Sequence, residues 1–465
     1  MPDLTNAKKQ AIGLDFVLRL LNCKSPYGKA AAKAMRPFAA NDFDGPDRHF
    51  DNIAAAMRLA KENAPIFTEI GDVLAQFKNI TGCVDACEHR GLGHVELFDI
   101  KQFLLNFERF LAIYDKIEKI FHDIDFAPMT AALDILDPHS KRVAPFAIED
   151  GASATLANLR AEKAAIEAKL QRDKTPCLLE KRAQIAAAED AEEIRIMRGL
   201  TRQLSTFAPI FRANMDAIGR LDLCMAKAAL AADYDAVRPK ISTSRFTLKN
   251  MANPMIAADL AARDTNLTKT DIALNPGTTI ITGANMGGKS VALKTAALNA
   301  ALCRLGFFVF ASEAEIPIFT NICLMSPEIP SDSGLSSFGA EVSFLSEVAA
   351  ASRDQLTFIA LDEPAGTTNP TEGAAIARAL ATFFARGKNF CLMATHYDNV
   401  GKPGMAHYRV AGLLADGRMD YNLIETDASA PAPREALRVC RMMGLDAELL
   451  AEIEKEAVAR APFCN

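Results

Sequence analysis

No stretch of this sequence is apolar over anything near the roughly 20 residues that a bilayer-crossing helix needs, which predicts a chain without membrane spans. The opening MPDLTNAKKQAIGLDFVLRLL also lacks the features of a signal peptide. Charges flank its short apolar stretch and no cleavage-site pattern follows. Basic excess is missing: 52 Lys and Arg stand against 58 Asp and Glu, for a net charge of −6. That balance provides no overall pull toward nucleic acid, although it leaves room for a local basic patch. There is no internal repeat and no low-complexity tract. The ten cysteines form no disulfide framework; most stand alone in apolar segments, which points to reduced thiols and a cytoplasmic location. One cluster, Cys83, Cys87, His89 and His94, has the spacing Cys-x3-Cys-x-His-x4-His and supplies four potential zinc ligands. That spacing matches no common finger, and its two cysteines are one helical turn apart, so an ordinary helix accounts for it.

What is present is globular: 50% of the residues are hydrophobic and 24% are charged. A chain of 465 residues exceeds one ordinary core and predicts two or three domains. From about Asp15 to Ser244, Ala, Leu, Glu, Lys and Arg dominate, with apolar residues at three- and four-residue steps, the pattern of helices. Leu156, Leu159, Ile166 and Leu170 form one such stripe. It breaks at Arg172 to Pro176 and resumes through Leu178, Leu179, Ile185, Ile194 and Ile196, predicting a helical hairpin with arms of about 30 Å. After Arg245, short β-branched and aromatic runs alternate with helical patterns: Thr278 to Ile281, Phe307 to Phe310, Thr357 to Leu361 and Phe390 to Met393. That alternation predicts a mostly parallel sheet covered on both faces. The expected organisation is a helical domain over 1–245 with its hairpin near 151–200, an α/β domain over 246–425, and a helical segment over 426–465.

The run TTII leads into TGANMGGKSVALKT, Thr282 to Thr295. Gly283-x4-Gly288-Lys289-Ser290 is a P-loop in its required context, with a strand before it and a helix after it. Glycines let backbone N–H groups turn inward around phosphates, and Lys289 supplies a cation for the β- and γ-phosphates. Ser290 places a hydroxyl on Mg²⁺. The expected nucleotide-binding residues are Gly283, Ala284, Asn285, Met286, Gly287, Gly288, Lys289 and Ser290. A second stretch, LDEPAGTTNPTEG from Leu361 to Gly373, puts adjacent carboxylates at the end of an apolar run. Asp362 is expected to hold Mg²⁺ with Ser290, and Glu363 to polarise the attacking water. Together the two stretches predict a site for ATP and Mg²⁺.

These motifs resemble those of the MutS family of ATPases. TGANMGGKS is close to that family's TGPNMGGKS, with Ala284 in place of a proline. GLSSFGAEV, Gly334 to Val342, is similar to the family's Gly-x-Ser-Thr-Phe loop. LDEPAGTTNPTEG resembles its acidic motif, and ATHYDNV, Ala394 to Val400, its Ala-Thr-His-Tyr switch. Upstream, LLNCKSPYGKAAAKAMRPF from Leu20 and LDLCMAKAALAADYDAVRPKIS, Leu221 to Ser242, are similar to the two ends of the family's helical lever domain. The resemblance implies an ABC/MutS-like P-loop NTPase domain preceded by an all-α lever domain. It implies that Ser336 reaches the γ-phosphate of a neighbouring subunit in a homodimer or MutS-like heteromer. It also implies that His396 senses the γ-phosphate, and that C-terminal helices including Arg434 to Glu456 clasp the dimer.

The sequence also departs from the family. The mismatch readers' N-terminal region with its Phe-x-Glu wedge has no counterpart here; Phe67-Thr68-Glu69 lies inside the helical region. The hairpin tip is only Arg172 to Pro176, where the family carries a β-rich DNA clamp. Asn253-Pro254 stands for a His-Pro pair, and the adenine-stacking aromatic is replaced near Leu267. The expectation drawn from these departures is an ATP-driven switch redirected to a protein client. Compact MutS-like ATPases of this kind are similar to those associated with reactivating cobalamin-dependent amino-acid mutases such as lysine aminomutase. The alternative is a DNA-binding MutS homologue acting in mismatch repair or recombination control.

Overall fold

A computed structural model of the protein describes residues 4–40, 42, 44–117, 119–172, 175–283, 288–329, 337–413, 419–427, 440–441 and 444–459. Contacts divide the chain into two compact units, one made of Met1–Leu21, Arg36–Asp51 and Lys227–Asn465, the other of Asn22–Met35 and Asn52–Ala226. This division differs from a helical domain running to 245, because 1–21, 36–51 and 227–245 fall with the α/β elements. The physical reason lies in the partners of the first helices, Asn6–Ile12 and Leu14–Leu20, which bury Ile12, Leu14 and Val17. Asn253 Nδ2 donates to Ile12 O at 3.0 Å, and Phe38 N donates to Arg304 O at 2.9 Å. Helical periodicity shows that a face is apolar but not what covers it.

Within the helical unit, the helix His94–Tyr114 sets Phe103, Phe107 and Phe110 along one face, where all three are buried. Phe103 and Phe107 stack at 5.9 Å, and Phe110 meets Phe126 edge-on at 4.8 Å. The Ser25-Pro26-Tyr27-Gly28 turn has a specific physical purpose. Ser25 caps the helix Pro26–Lys33 and donates its hydroxyl to buried Asp222 at 2.6 Å. A Cβ on Gly28 would lie 2.0 Å from that same carboxylate, so only glycine fits there. The hairpin is the helices Ala154–Leu170 and Pro176–Ser205, with Ser153 as the first N-cap and Pro176 in the first turn of the second arm. At 1.5 Å per residue the arms are roughly 25 and 45 Å long, so the second is longer than expected. Phe67-Thr68-Glu69 lies within the helix Ala64–Gln76. Cys83 and Cys87 lie on the helix Thr81–Cys87, where burial pushes both thiols up, Cys87 to about 11. His94 faces Glu193 at 3.2 Å, and no group of three metal-ligating side chains converges among the described residues.

Among its described residues the other unit holds ten strands: β1 Lys240–Ser242, β2 Phe246–Met251, β3 Thr270–Leu274, β4 Gly277–Thr282, β5 Glu313–Pro317, β6 Asn321–Met325, β7 Thr357–Asp362, β8 Phe390–Thr395, β9 Ala406–Leu413 and β10 Met419–Glu425. The larger sheet runs β10-β9-β4-β8-β7-β6, parallel except for the β10 edge. A smaller mixed sheet, β1-β5-β2-β3, was not expected from sequence. Strands β4, β7 and β8 are buried along their whole length, the reason they read as unbroken apolar runs. Ile280, Ile359, Leu361, Cys391 and Met393 pack with Val348, Ala377 and Phe384 of the helices Ser337–Asp354 and Pro370–Phe384. The helix Lys289–Arg304 packs against β6, β7 and β8.

The Phe307 to Phe310 run is not a strand. It contributes one bridge, Val309 to Val237, and Phe310 N donates to Asn299 Oδ1 at 2.7 Å. Its apolar character reflects burial of Phe307, Val309 and Phe310 in the core, which a strand and a buried loop share. Of the helical segment expected over 426–465, the structure describes the helix Ala447–Ala459; Arg434 and its neighbours lie outside the described residues. No helix among the described residues is long and apolar enough to cross a membrane.

Candidate functional site

Strand β4 ends at Thr282 and Gly283 follows with φ of 148°, a backbone reserved for glycine; its missing Cβ makes room for Val410 of β9. Gly288, at φ of 86°, caps the helix that starts at Lys289. One glycine therefore ends the strand and another starts the helix, flanking residues 284–287. Lys289 is 4% exposed, and its Nζ donates to Gly283 O at 2.8 Å and lies 3.6 Å from Glu363 Oε1. Burial pushes its ammonium below the usual lysine range, while Glu363 and Asp362 oppose that shift.

The carboxylates arrive from β7, one strand beyond β8. Asp362 is its last residue, 3% exposed. Ser326, just past β6, donates to Asp362 Oδ2 at 3.3 Å, and Ser290 also hydrogen-bonds this carboxylate. Its Oδ1 is buried with no partner among the described residues. Burial pushes the Asp362 pKa up, Glu363 adds to this, and Ser290, Ser326 and Lys294 oppose it. A buried carboxylate oxygen without a donor is costly unless a cation completes it, so the pair Ser290 and Asp362 fits a hard divalent metal such as Mg²⁺.

Glu363 turns away from its neighbour because its backbone is left-handed, φ 51°, with its N–H on Ala394 O of β8 at 2.9 Å. Ala365 repeats the left-handed geometry at φ 58°, and the buried-side carboxylate of Glu341 accepts its N–H. Tyr397 donates to Ala365 O at 3.0 Å from the far side. Residues held at such φ values cost of order 1–3 kcal/mol each and persist where surroundings over-determine them. His396, at the end of β8, places Nδ1 3.7 Å from Glu363 Oε1 and rests on Tyr397 with ring centroids 4.4 Å apart.

Thus the structure links Lys289 to Glu363, Glu363 to His396, and Ser290 to Asp362, next to Glu363 in sequence. Ala284, Asn285, Met286, Gly287 and Ser336 lie outside the described residues. A cavity of about 530 Å³, within the usual range for a small-molecule site, opens over Lys289, Ser290, Asp362 and Glu363. Ile256, Leu260 and Leu267 add apolar lining, and Tyr421 of β10 forms part of its wall. Asn253 does not line it; that side chain caps the helix Pro254–Ala261. Sequence reasoning missed Ser326, Glu341, Lys294 and Tyr421. Ser326 lies just past an edge strand and Tyr421 on one, neither in a recognisable pattern, so nothing local marked them.

With this geometry in view, comparison with known proteins is informative. Residues 279–457 match the profile of MutS domain V. The chain is 31% identical over 295 residues to Endonuclease MutS2 of Thermomicrobium roseum, covering 60% of this chain and 37% of that protein. It is 29% identical over 272 residues to Endonuclease MutS2 of Lactococcus lactis subsp. lactis, covering 57% and 34%. Endonuclease MutS2 of Caldicellulosiruptor saccharolyticus is 32% identical over 225 residues, covering 47% and 27%. The chain thus spans about a third of the length of the curated relatives it matches. Loop, acidic strand end and histidine strand end all belong to the stretch that matches MutS domain V.

Proposed function

We propose that the chain binds ATP with Mg²⁺, hydrolyses it, and uses the cycle as a conformational switch within a dimer. The observation that carries this reading is the partnerless, buried Oδ1 of Asp362 beside Ser290, on the same cavity as Lys289 and Glu363. Ser290 and Asp362 would hold Mg²⁺, which would supply positive charge against the negative charge that develops on the phosphates. Lys289 exchanges its carbonyl and carboxylate partners for phosphate oxygens. Glu363 orients the attacking water and accepts its proton, and His396 reads the presence of the γ-phosphate through its place beside Glu363. Ser336 of the partner subunit completes the site from across the dimer.

The work of the switch, in this reading, is on duplex DNA. Its support is that several proteins named Endonuclease MutS2 are 29–32% identical to this chain over 47–60% of its length. A second reading, remodelling of a protein client such as a cobalamin-dependent aminomutase, draws on one observation in the hairpin. Arg160 and Lys163 are engaged by Glu189, Lys181 by Glu162 and Arg182 by Glu167, so these cations already have carboxylate partners. Phosphate contacts require cations that are free to make them. The test compares ATP hydrolysis alone, with duplex DNA across a salt series, and with a candidate mutase. Salt-sensitive stimulation by duplex is expected; stimulation by the mutase alone would replace the DNA reading, and no hydrolysis at all would overturn the switch itself.

A further inference from the structure

The strands that carry the nucleotide site at their C-terminal ends start, at the opposite end, on a second cavity of about 800 Å³. Pro276 precedes β4, Leu356 precedes β7 and Asn389 precedes β8, and all three line it. Asn389 ties the strand starts together. Its Oδ1 accepts from Thr357 N at 2.8 Å, its carbonyl accepts from Gly277 N at 2.7 Å, and its Nδ2 donates to Ser352 O. The floor is therefore ordered in advance, which lowers the entropic cost of binding.

Around this floor stand Arg353, Arg386 and Lys388, all exposed, none with a carboxylate partner among the described residues. Some exposed cations elsewhere are neutralised, Arg212 by Asp85 and Glu88 and Arg238 by Asp47 and Asp51, and what sets these three apart is that they gather around one concavity. The same wall holds Asp354 and Phe383, the latter 42% exposed. Three free cations, one carboxylate and an exposed aromatic ring around a concavity make a mixed recognition surface.

We propose that this cavity docks an acidic segment of a partner protein, with an apolar side chain against Phe383 and carboxylates on Arg353, Arg386 and Lys388. The lining separates a peptide from a nucleic-acid backbone. Phe383 offers an apolar contact that a phosphate chain does not use, whereas an acidic peptide presents both apolar and charged side chains to a concave surface, where three cations outnumber Asp354. The site is distinct from the nucleotide cavity, roughly 20 Å away along six-residue strands, and it does not depend on which client the switch serves.

The test is fluorescence anisotropy of a short fluorescein-labelled peptide of alternating Glu and Leu, titrated with the full chain. Saturable binding that weakens with salt is expected. It should fall at least about tenfold in the combined Arg353→Glu, Arg386→Glu, Lys388→Glu variant. The variant's ATP hydrolysis, unchanged, reports an intact fold, and the milder Arg386→Gln, Lys388→Gln pair should give a smaller loss in the same direction. Absence of saturable binding, equal binding of a Gln and Leu peptide, or indifference of both variants would overturn the proposal. Tighter binding of a labelled DNA duplex, lost in the charge-reversed variant, would reassign the cavity to nucleic acid.

Discussion

Asp362 and Glu363 are adjacent carboxylates with opposite surroundings, and their substitutions should separate accordingly. Glu363 is a quarter exposed at its side chain and sits between Lys289 and His396. Glu363→Gln keeps shape and hydrogen bonding but removes the proton acceptor. It should leave ATP binding intact and slow hydrolysis by about 100-fold or more, measured by single-turnover phosphate release; undiminished turnover would take the water-activating role away from this residue. Asp362 is instead a cost to the nucleotide-free fold. Its pKa is raised by burial, so the folded chain holds this proton more tightly than the unfolded chain. Stability is therefore lost as pH rises from the ordinary carboxylate range through the raised folded value. Asp362→Asn should stabilise the nucleotide-free protein by about 1–3 kcal/mol at neutral pH, the cost of a buried unsatisfied group. The gain should vanish toward pH 3 to 4, near the unfolded carboxylate value. Urea midpoints of both proteins across pH test this, and an Asn variant less stable at neutral pH would contradict it.

At the scale of elements, the turn after β7 depends on the helix that follows it. A Cβ at Gly373, in the first turn of Pro370–Phe384, would lie 2.2 Å from Tyr397 Oη and 2.8 Å from Ala365 O. Both atoms belong to the hydrogen bond that holds the left-handed Ala365. Gly373→Ala should cost about 1–3 kcal/mol through overpacking, read as a lowered urea midpoint. An unmoved midpoint would mean Tyr397 swings aside freely. The same elements show what could be read in advance. β4, β7 and β8 were legible because burial on both faces gives unbroken apolar runs, and Pro176 was legible as a break because proline fits only a helix's first turn. β2, β3, β9 and β10 were not. FTLKNM and MDYNLIE mix polar and apolar residues as half-buried or edge strands do, and their pairing is set by distant partners. The loop Phe307 to Phe310 misled for the converse reason, since a buried loop carries the same residues as a buried strand. Lys289, Ser290, Asp362, Glu363 and His396 could be placed because each follows directly on a legible strand or begins the helix after one. Ser326, Glu341 and Tyr421 reach the site only through tertiary packing.

At the scale of the whole molecule, sharing of the site between subunits has a direct test. Ser336→Ala and Lys289→Ala proteins should each be inactive alone and recover part of the activity when mixed. One composite site of a mixed dimer then holds an intact Lys289 and an intact Ser336. Mixed dimers that form and stay inactive would remove the trans role of Ser336.

The chain's path between its two units bears also on the order in which they come into being. Asn253 meets Ile12 across 241 positions of sequence, and the backbone of Phe38 waits for that of Arg304. Ribosomes add about 5–20 residues per second, so such partners appear tens of seconds after the helices they will hold. During that interval Asn52–Ala226 emerges complete, with its aromatic core supplied from nearby in the chain. The helical unit can thus mature on the ribosome while the apolar faces of Ile12, Leu14 and Val17 are still without cover. These early helices would need shielding during synthesis, and they are among the last pieces to settle into place.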